Sequence, residues 1–437
     1  MCNYFGNVNF DELFRDKPFD DKISTLHNVL NDAIHLFVPT YIKRGPNKTP
    51  WHNKQLQSLK NKKNKEWKRF KITDVKWPYD IALKSYDTLN KKLYNEYVDK
   101  MKSNLRDDPS SFWQYVNSKK NTNNQPKIMR FRDTSTSSER EQANLFANFF
   151  GSNFTASTAN DTLQRQSNNT LCLQLDPTIV MTEMTRINVK KGVGPDGIHP
   201  RLLKECASVL AEPLTKVFNE SLATGIFPNQ WKRSSVSPVF KKGARSNIEN
   251  YRCIAKLPTI AKLFERLVNV NLLELVRDRI TPKQHGFMKG RSTSSNLSEL
   301  TYYIQSGLNI GAQVDLKGYD FVKAFDQVDH NILIGKLIAY NLPQNLLAWL
   351  KSYLTHRSQF VKLGASESED FGVTSGVPQG SHLGPTLFLL FINDLVDQMP
   401  PVVNVSMYAD DVLISNIIKT EADCVILQQA TDKLKEL

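Results

Sequence analysis

Two adjacent carboxylates stand between apolar runs near the end of the chain. Asp410 and Asp411 follow Tyr408-Ala409, with VVNVSM before them and VLI after them. Apolar, β-branched stretches on both sides of so short a polar step predict a hairpin with the acids at its tip. Adjacent carboxylates repel each other, and burying them is costly unless cations neutralise them. The pair therefore suggests a divalent metal site, although a lone Asp-Asp pair is more often a simple turn.

A third carboxylate, Asp320, ends an apolar, strand-like run in the string GYDFVKAFDQVDH. If sheet pairing brings Asp320 beside the hairpin, the three aspartates form a cluster of hard oxygen ligands suited to Mg²⁺. Two such ions roughly 3.5–4 Å apart can activate a hydroxyl group and stabilise a leaving group in one displacement. Asp326 and Asp329 follow in the same string, and we expect them to be surface or helix-capping residues.

The elements that must position these acids are mixed helices and strands. Helical stretches between Gly/Pro-rich signals fill residues 181–311, and short strand-like runs alternate with helices from residue 312 onward. Apolar residues make up 40% of the 437 residues and charged residues 23%, which excludes wholesale disorder. Five cysteines, never in a CxxC pair, argue against a disulfide framework or a zinc site. The predicted fold class is α+β.

The longest dense apolar run covers residues 387–392. That is far short of the roughly 18–20 residues that a membrane-spanning helix needs. The N-terminus carries acids where a signal peptide would need a basic and then an apolar stretch. We therefore expect no membrane among the partners.

The positive charge is concentrated in one segment. The chain has 57 Lys+Arg against 44 Asp+Glu, a net charge of +13, and residues 41–120 hold 20 of the basic and only 8 of the acidic residues. Apolar residues recur there at three- or four-residue spacing, which predicts amphipathic helices with a break at Trp77-Pro78. A phosphate-tracking surface is one interpretation, and a solvated lysine face on a helical extension is the other. The aromatic residues that could stack on bases are Trp67, Phe70, Trp77, Tyr86, Tyr94, Tyr97 and Trp113.

Several strings, taken in order, resemble the sequence blocks of one family. GYDFVKAFDQVDH, SGVPQGSHLGPTLFLLFINDL and MYADDVLIS resemble the catalytic blocks of reverse transcriptases from non-LTR (LINE-type) retrotransposons, the jockey-like elements in particular. Upstream, KKGVGPDGIHPRLLK, FPNQWKRSSVSPVFKKG, NYRCIAKLPTIAKLFERLV and QHGFMKGRSTSSNL resemble the fingers blocks of the same family. The resemblance covers residues 181–437.

The resemblance implies the fingers and palm of a right-hand polymerase, with helices packed on an antiparallel palm sheet. The family continues with a thumb domain. Because the chain ends 26 residues after Asp411, we expect the thumb to be missing and the chain to be truncated at both ends. The implied divisions are a remnant endonuclease tail and linker (1–50), a basic helical nucleic-acid-binding extension (51–120), a polar linker with a short helix (121–180), fingers (181–311) and palm (312–437).

The implied activity is RNA-directed DNA polymerisation by two-metal nucleotidyl transfer from a dNTP to a primer 3′-hydroxyl. Two Mg²⁺ ions, with Mn²⁺ as a substitute, would be held by Asp320, Asp410 and Asp411 and by the backbone carbonyl of Phe321. The implied partners are an RNA template, a DNA primer or target and dNTPs, with the oligomeric state left open. The implied location is a cytoplasmic ribonucleoprotein and the nucleus. The alternative is a catalytically impaired remnant that only binds nucleic acid.

The resemblance also assigns residues to the incoming nucleotide. Phe325 matches the bulky residue that blocks a ribose 2′-hydroxyl and so selects deoxynucleotides; a core role is the alternative. Arg252 matches a fingers residue that meets the triphosphate. Lys241 and Lys242 are further phosphate ligands, or else lysines of a solvated loop. A forked, always-charged guanidinium and compact ammonium groups suit these tasks.

A second group of residues is assigned to the template side. Gln379 is expected to position nucleotide and template, and Gly380 lacks the side chain that would keep a base pair from the backbone. Arg291 is expected to bind a template phosphate. His285 and His330 lie near functional blocks, but we interpret both as structural.

Deleting residues 51–120 tests the two interpretations of the basic segment. If the segment binds phosphates, the deletion will flatten the slope of log affinity for RNA against log salt concentration. Each lost phosphate contact with a single strand lowers the slope by about 0.7. A filter-binding titration between low and moderate salt measures this slope. An unchanged slope would favour the solvated lysine face.

Overall fold

The computed structural model describes residues 1–40, 49–119, 126–155 and 173–436. Most of the breaker-rich end of the predicted first segment, and residues 156–172 of the predicted polar linker, lie outside this described part. The chain divides into a larger unit, Met1–Val38 with Ile128–Leu437, and a smaller unit, Pro39–Lys127. Within the described residues no helix combines the length and the apolar character needed to cross a membrane.

The helices and strands follow in chain order. The helices are Cys2–Gly6 (α1), Phe10–Phe14 (α2), Phe19–Phe37 (α3), Lys54–Thr73 (α4), Trp77–Ser103 (α5), Pro109–Lys119 (α6), Glu139–Gly151 (α7), Pro177–Thr185 (α8), Pro200–Glu205 (α9), Ala207–Thr224 (α10), Thr259–Val276 (α11), Thr293–Asn309 (α12), His330–Ala339 (α13), Gln344–Leu354 (α14), Leu383–Ile392 (α15) and Glu421–Glu436 (α16). The strands are Met129–Phe131 (β1), Thr134–Thr136 (β2), Arg233–Phe240 (β3), Tyr251–Lys256 (β4), Gln313–Asp320 (β5), Arg357–Leu363 (β6), Ser366–Glu367 (β7), Phe371–Val373 (β8), Asn404–Tyr408 (β9) and Asp411–Ile418 (β10).

Two sheets organise the larger unit. A three-stranded sheet has the order β5-β10-β9 and is antiparallel throughout. A five-stranded sheet has the order β4-β3-β6-β7, with β8 also paired to β6. The pair β3–β6 is parallel and the other pairs are antiparallel. The predicted mixture of helices and antiparallel sheets is therefore confirmed.

The main core forms because the helices of the larger unit carry apolar stripes at helical spacing. In α11 the buried residues Ile260, Leu263, Phe264, Leu267 and Val268 recur every three or four positions and so share one face. Burying such a side chain contributes about 1.5–3 kcal/mol to stability. This core extends under the three-stranded sheet, which fixes that sheet against α13, α15 and α16.

Residues 1–38 pack into this same core. Leu26 of α3 is fully buried, and Lys22 forms an ion pair with Glu220 of α10 at 2.8 Å. Burial lowers the pKa of His27 to about 4, so its ring is neutral and accepts a 2.8 Å hydrogen bond from the indole of Trp231. The first helices are thus part of the larger unit, and their origin in an endonuclease stays a prediction.

The predicted polar linker contains the predicted short helix, which is α7. This helix packs into a second hydrophobic cluster, in which Phe146 lies 5.1 Å from Tyr251 between ring centroids and Phe150 is also buried. The cluster joins α7 to β3, β4 and β6. Residues 139–151 therefore support the five-stranded sheet, although the surrounding composition is polar.

The smaller unit is helical, as the spacing of its apolar residues predicts. Helices α4 and α5 are separated at residues 74–76, next to the predicted break at Trp77-Pro78, and Pro78 occupies the first turn of α5, where a missing N–H is harmless. Its aromatic side chains pack on one another: Trp51 lies 5.0 Å from Tyr94, and Trp67 lies 4.9 Å from Tyr79. Several aromatic residues of this unit thus pack on one another, and Trp67, Trp77 and Trp113 remain exposed.

Candidate active site

The strand register brings the predicted acids together. Strands β5 and β10 pair so that Asp411 lies opposite Asp320, and β9 and β10 pair so that Asp411 lies opposite Tyr408. Ala409 and Asp410 are therefore the two-residue loop of a hairpin, as the sequence predicts. All three carboxylates lie at the same end of the three-stranded sheet.

The charge on these acids raises the pKa of one of them. Partial burial, followed by the charges of Asp410 and Asp320, raises the pKa of the Asp411 carboxyl above its usual range. A nearby cation would lower the pKa of Asp411 and favour the ionised carboxylate. In the described part of the chain, no three His, Cys, Asp or Glu side chains converge as a metal-binding group. The three-aspartate metal site therefore stays a proposal.

Asp320 and Asp411 border a cleft of about 490 Å³. One wall is the sheet face that carries Asp320, Asp411 and Gly318. Strand pairing shows that Leu413 belongs to this face, because side chains on a strand alternate between faces. The other wall is the first part of α12. The lining residues of this wall are Thr293, Asn296, Leu297 and Leu300.

Gln284 holds the turn of the β9–β10 hairpin, and the sequence motifs did not single this residue out. Its side-chain oxygen accepts hydrogen bonds from the backbone N–H of Ala409 at 2.8 Å and from that of Gly286 at 2.7 Å. Its side-chain nitrogen donates to the carbonyl of Ala409 at 3.3 Å. Ala409 has φ +55°, in the left-handed region that favours glycine, so these bonds hold a conformation that alanine adopts at a cost. The signal in the sequence was the Q-x-G spacing of the QHGF string.

Gly286 and Arg291 support the contact between Gln284 and Ala409. A Cβ atom on Gly286 would lie 2.2 Å from the nitrogen of Ala409, so only glycine allows the loop to approach the hairpin. The guanidinium of Arg291 donates to the backbone carbonyls of Pro282 and Gln284. Arg291 thus supports the loop that carries Gln284, and its contact with a template phosphate stays a prediction.

Phe325 lies in the loop after β5, on the chain that leaves Asp320. Its ring stacks on buried Phe388 of α15, with centroids 4.7 Å apart, and meets the edge of Phe287 at 6.1 Å. The side chain is half-buried, so part of it remains exposed at the surface. Its position is compatible with both predicted roles, the gate and the core.

The segment around Gln379 is held against β4. The carbonyl of Gln379 accepts from the N–H of Ala255 at 2.8 Å. Gly380 has φ +112°, and a Cβ atom there would lie 2.6 Å from the carbonyl oxygen of Ala255, so the close approach requires glycine. The side-chain nitrogen of Gln379 donates to Asp326 at 2.9 Å.

The surface or capping role predicted for Asp326 is wrong. Asp326 is only 8% exposed, and burial raises the pKa of its carboxyl while the bond from Gln379 lowers it. Its carboxylate accepts the hydrogen bond from Gln379 and so helps to hold that side chain. The helix-capping role predicted for Asp329 is confirmed, because its side chain accepts from the N–H groups of Asn331 and Ile332 at the start of α13.

The predicted phosphate ligands share one hairpin of the five-stranded sheet. Arg252 on β4 pairs with Val239 on β3, and both point to the exposed face. Lys241 follows two positions after Val239 and is exposed, as is Lys242. Their spacing places Arg252 and Lys241 on the same face of the hairpin.

The two histidines have fixed structural partners. His330 is buried and its Nε2 lies 2.7 Å from the carbonyl oxygen of Gly376. His285 is also buried, and its Nδ1 lies 2.8 Å from the hydroxyl of Ser295. These contacts support the interpretation of both residues as structural.

With this geometry in place, the chain can be compared with known proteins. Residues 239–437 match the family described as "Reverse transcriptase (RNA-dependent DNA polymerase)". This part of the chain is therefore similar to a reverse transcriptase domain.

Its relatives are polymerases of mobile elements. The chain is 32% identical over 270 residues to a probable RNA-directed DNA polymerase from transposon BS of Drosophila melanogaster, covering 59% of this chain and 30% of the relative. It is 32% identical over 254 residues to one from transposon X-element of the same species, covering 57% and 28%. It is 30% identical over 243 residues to the RNA-directed DNA polymerase from mobile element jockey, also of D. melanogaster, covering 52% and 26%. The predicted relation to the reverse transcriptases of non-LTR, jockey-like retrotransposons is confirmed.

The chain spans less than a third of the length of these relatives. Among solved structures, a telomerase from Candida albicans matches at 14% identity with a TM-score of 0.35, covering 48% of this chain and 42% of that one. A telomerase from Candida tropicalis matches at 12% identity with a TM-score of 0.36, covering 51% of each chain. These TM-scores are too low to add to what the strand register shows.

The Gln284 contact predicts a specific pair of variants. Gln284→Ala removes two hydrogen bonds from Ala409, each worth about 0.5–1.5 kcal/mol, so primer extension should slow by roughly tenfold. Ala409→Gly in the same chain should restore part of the rate, because glycine adopts φ +55° without steric cost. Rates measured across a Mg²⁺ titration, alongside thermal unfolding, check this expectation.

Gln305→Ala is the matched control, because Gln305 is an exposed glutamine whose bond is to Asn309 within α12. It should leave the rate and its Mg²⁺ dependence unchanged. If Gln284→Ala keeps the wild-type rate, or if Ala409→Gly restores nothing, the contact does not position the hairpin.

Proposed function

We propose that this chain catalyses RNA-directed DNA synthesis for a non-LTR retrotransposon, by adding dNTPs to a primer 3′-hydroxyl on an RNA template. The observation that carries the proposal is the register of β5 and β10, which sets Asp320 opposite Asp411 beside the loop residue Asp410. This arrangement lies within the matched reverse transcriptase domain. On this proposal residues 181–311 are the fingers, residues 312–437 are the palm, and residues 51–120 are the basic extension that binds nucleic acid.

Three carboxylates at one end of a sheet suit a hard divalent cation. We propose that Asp320, Asp410 and Asp411, with the backbone carbonyl of Phe321, hold two Mg²⁺ ions, for which Mn²⁺ can substitute. The rise in the pKa of Asp411 caused by burial and by its two acidic neighbours supports the fit, because such repulsion is relieved by a cation. Bound ions of this kind supply activation of the primer hydroxyl and neutralisation of the pyrophosphate.

The remaining candidate residues act by binding and orientation. Arg252, Lys241 and Lys242 extend from one hairpin and would hold the triphosphate of the dNTP. Gln379, oriented by Asp326, would contact the nucleotide and template, and Gly380 would allow the base pair to approach the backbone.

Template contact is proposed for Arg291 in addition to its structural bonds. An arginine side chain has five N–H donors, so those not used on the carbonyls of Pro282 and Gln284 remain for a phosphate. Positioning of this kind, together with electrostatic stabilisation, accounts for most of the catalysis in phosphoryl transfer.

The direct test is primer extension on an RNA template with Mg²⁺. Asp410→Ala should reduce incorporation by about 10²-fold or more, because it removes a charged group from the reacting centre. Asp397→Ala is the matched control, since Asp397 is an exposed acid elsewhere in the same domain. Equal incorporation by the Asp410→Ala protein and the wild type would contradict the metal role.

The same assay addresses the alternative function. RNA binding without any incorporation by the wild-type chain, across Mg²⁺ and Mn²⁺ concentrations, would identify a catalytically impaired remnant that only binds nucleic acid. RNA binding by the Asp410→Ala protein shows separately that the variant is folded.

The gate role of Phe325 has its own test. Phe325→Ala should lower the ratio of kcat/KM for dNTPs over rNTPs by roughly tenfold or more, because space opens for the 2′-hydroxyl. Phe388→Leu is the control: it disturbs the stacked ring beneath Phe325 and leaves the gate residue in place. If Phe388→Leu relaxes the ratio equally, or Phe325→Ala leaves it unchanged, Phe325 acts only in the core.

A further inference from the structure

Residues 378–382 connect the contact of Gln379 with β4 to the start of α15, and we call them the Gln379 segment. Within it, the N–H of Ser381 donates to the carbonyl of Pro378 at 3.1 Å and closes a turn. The hydroxyl of Ser381 accepts from the N–H of Gly384 at 2.8 Å, in the first turn of α15. The side of the segment that faces away from β4 is held by a buried acid.

This acid is Glu265 of α11, which is fully buried. Charged side chains are almost never buried to this degree unless they are paired. Each oxygen of its carboxylate accepts one hydrogen bond, from the backbone N–H of His382 at 2.9 Å and from the hydroxyl of Tyr353 at 3.1 Å. Glu265 therefore ties α11 both to the last residue of the Gln379 segment and to α14.

The bond to Tyr353 leads to the same segment by a second route. Tyr353 is fully buried, and its hydroxyl group also forms a hydrogen bond with the side chain of Ser381. Burial and then the charge of Glu265 raise the pKa of Tyr353 well above its usual range, whereas the charge of Arg357 and the bond with Ser381 act in the opposite direction. Glu265 thus reaches the Gln379 segment twice, directly at His382 and through Tyr353 at Ser381.

The charge of Glu265 has a counterpart in the same part of the core. Arg357 is only 3% exposed, and its guanidinium donates to the backbone carbonyl of Tyr353 at 2.9 Å. Burial raises the pKa of Glu265, and the charge of Arg357 is the strongest influence that lowers it. An apolar side chain would fill this position without the cost of burying a charge. What the carboxylate adds is two directed hydrogen bonds, and both lead to the Gln379 segment.

The position of the Gln379 segment matters on both of its sides. A Cβ atom on Gly380 would lie 2.6 Å from the carbonyl oxygen of Ala255, so the segment cannot move closer to β4. A shift away from β4 would break the hydrogen bond between Gln379 and Ala255. The segment also leads into α15, whose Phe388 stacks on Phe325. Residues proposed to meet the nucleotide therefore depend on where the segment lies.

We propose that Glu265 is a positioning residue for the incoming nucleotide, because it fixes the Gln379 segment against β4 through His382 and Tyr353; this rests on the proposed function. Glu265 is buried and acts only through the residues that it holds. A purely structural acid would contribute to the stability of the core and leave the segment and the binding of dNTP unaffected.

The experiment uses single-residue variants of the full chain. Tyr353→Phe removes the hydroxyl that links Glu265 to Ser381 and keeps the ring. Tyr340→Phe is the matched control, because Tyr340 is a partly buried tyrosine whose hydroxyl accepts from Asn393 at 2.9 Å, away from the segment. Two quantities are measured: amide hydrogen exchange in residues 379–386 without Mg²⁺, RNA or nucleotide, and kcat and KM for dNTP in primer extension.

Tyr353→Phe should speed amide exchange in residues 379–386. It should also raise KM for dNTP by roughly threefold to tenfold and leave kcat within about twofold, the effect of one lost hydrogen bond. Tyr340→Phe should change neither quantity. Adding Ser381→Ala to Tyr353→Phe should raise KM no further, because both changes remove the same link.

Variants of Glu265 itself supply a rescue test. Glu265→Ala removes both hydrogen bonds and should speed exchange in the segment more than Tyr353→Phe does. Glu265→Gln keeps an oxygen for the N–H of His382, so it should restore most of the protection that Glu265→Ala loses. If Glu265→Ala does not fold, Tyr353→Phe still decides the question.

Exchange in residues 379–386 that is the same in Tyr353→Phe as in Tyr340→Phe would overturn the proposal. So would additive effects of Tyr353→Phe and Ser381→Ala on KM, or faster exchange with an unchanged KM. Lowered thermal stability with neither change would identify Glu265 as a structural acid only. A wild-type chain that incorporates no dNTP would refute the polymerase function, and the exchange measurement would still show whether Glu265 fixes the segment.

Discussion

The site depends on the pairing register of β5 with β10. A shift of one residue would turn every side chain of β10 to the opposite face, because side chains alternate along a strand. Val412 and Ile414 would then leave the core, in which both are almost completely buried, and Asp411 would enter it. The cost of burying a carboxylate and exposing two apolar side chains therefore fixes the register. The same cost fixes Asp411 opposite Asp320.

This register fixes the position of β10 relative to β5, but the hairpin loop needs support from elsewhere in the chain. Ala409 lies in a backbone region that disfavours side chains, and Gln284 compensates through hydrogen bonds from a segment far earlier in the sequence. Gly286 permits that segment to come close enough. Gln379 is oriented in the same way, by buried Asp326. The polar side chains of Gln284 and Asp326 thus hold the hairpin loop and Gln379 in place.

These contacts explain which residues of the site could be predicted from the sequence and which could not. Asp320, Asp410 and Asp411 could be found because each sits at the end of an apolar strand, a local pattern. Asp326 was misjudged because its burial depends on Gln379, which lies 53 positions away. Gln284 was missed because its partner Ala409 lies 125 positions away, and the Q-x-G spacing beside Gln284 does not show which residue it contacts. In the smaller unit, the ring of Trp67 packs on Tyr79 and is still 40% exposed, so base stacking by this residue stays a prediction.

The net charge of a segment likewise does not show where its charged residues lie in the fold. Outside residues 41–120 the basic and acidic residues nearly balance, which suggested that the net positive charge serves template or partner binding by that segment and not the active site. The fold separates those charges in space: carboxylates gather at one end of the three-stranded sheet, and Lys191, Lys256 and Lys262 line a cleft beside β4. Because exposed charges are screened over about 8–10 Å in physiological salt, a charged ligand responds to these local groups and not to the sum over the domain. A nearly neutral domain can therefore present an acidic surface and a basic surface at the same time.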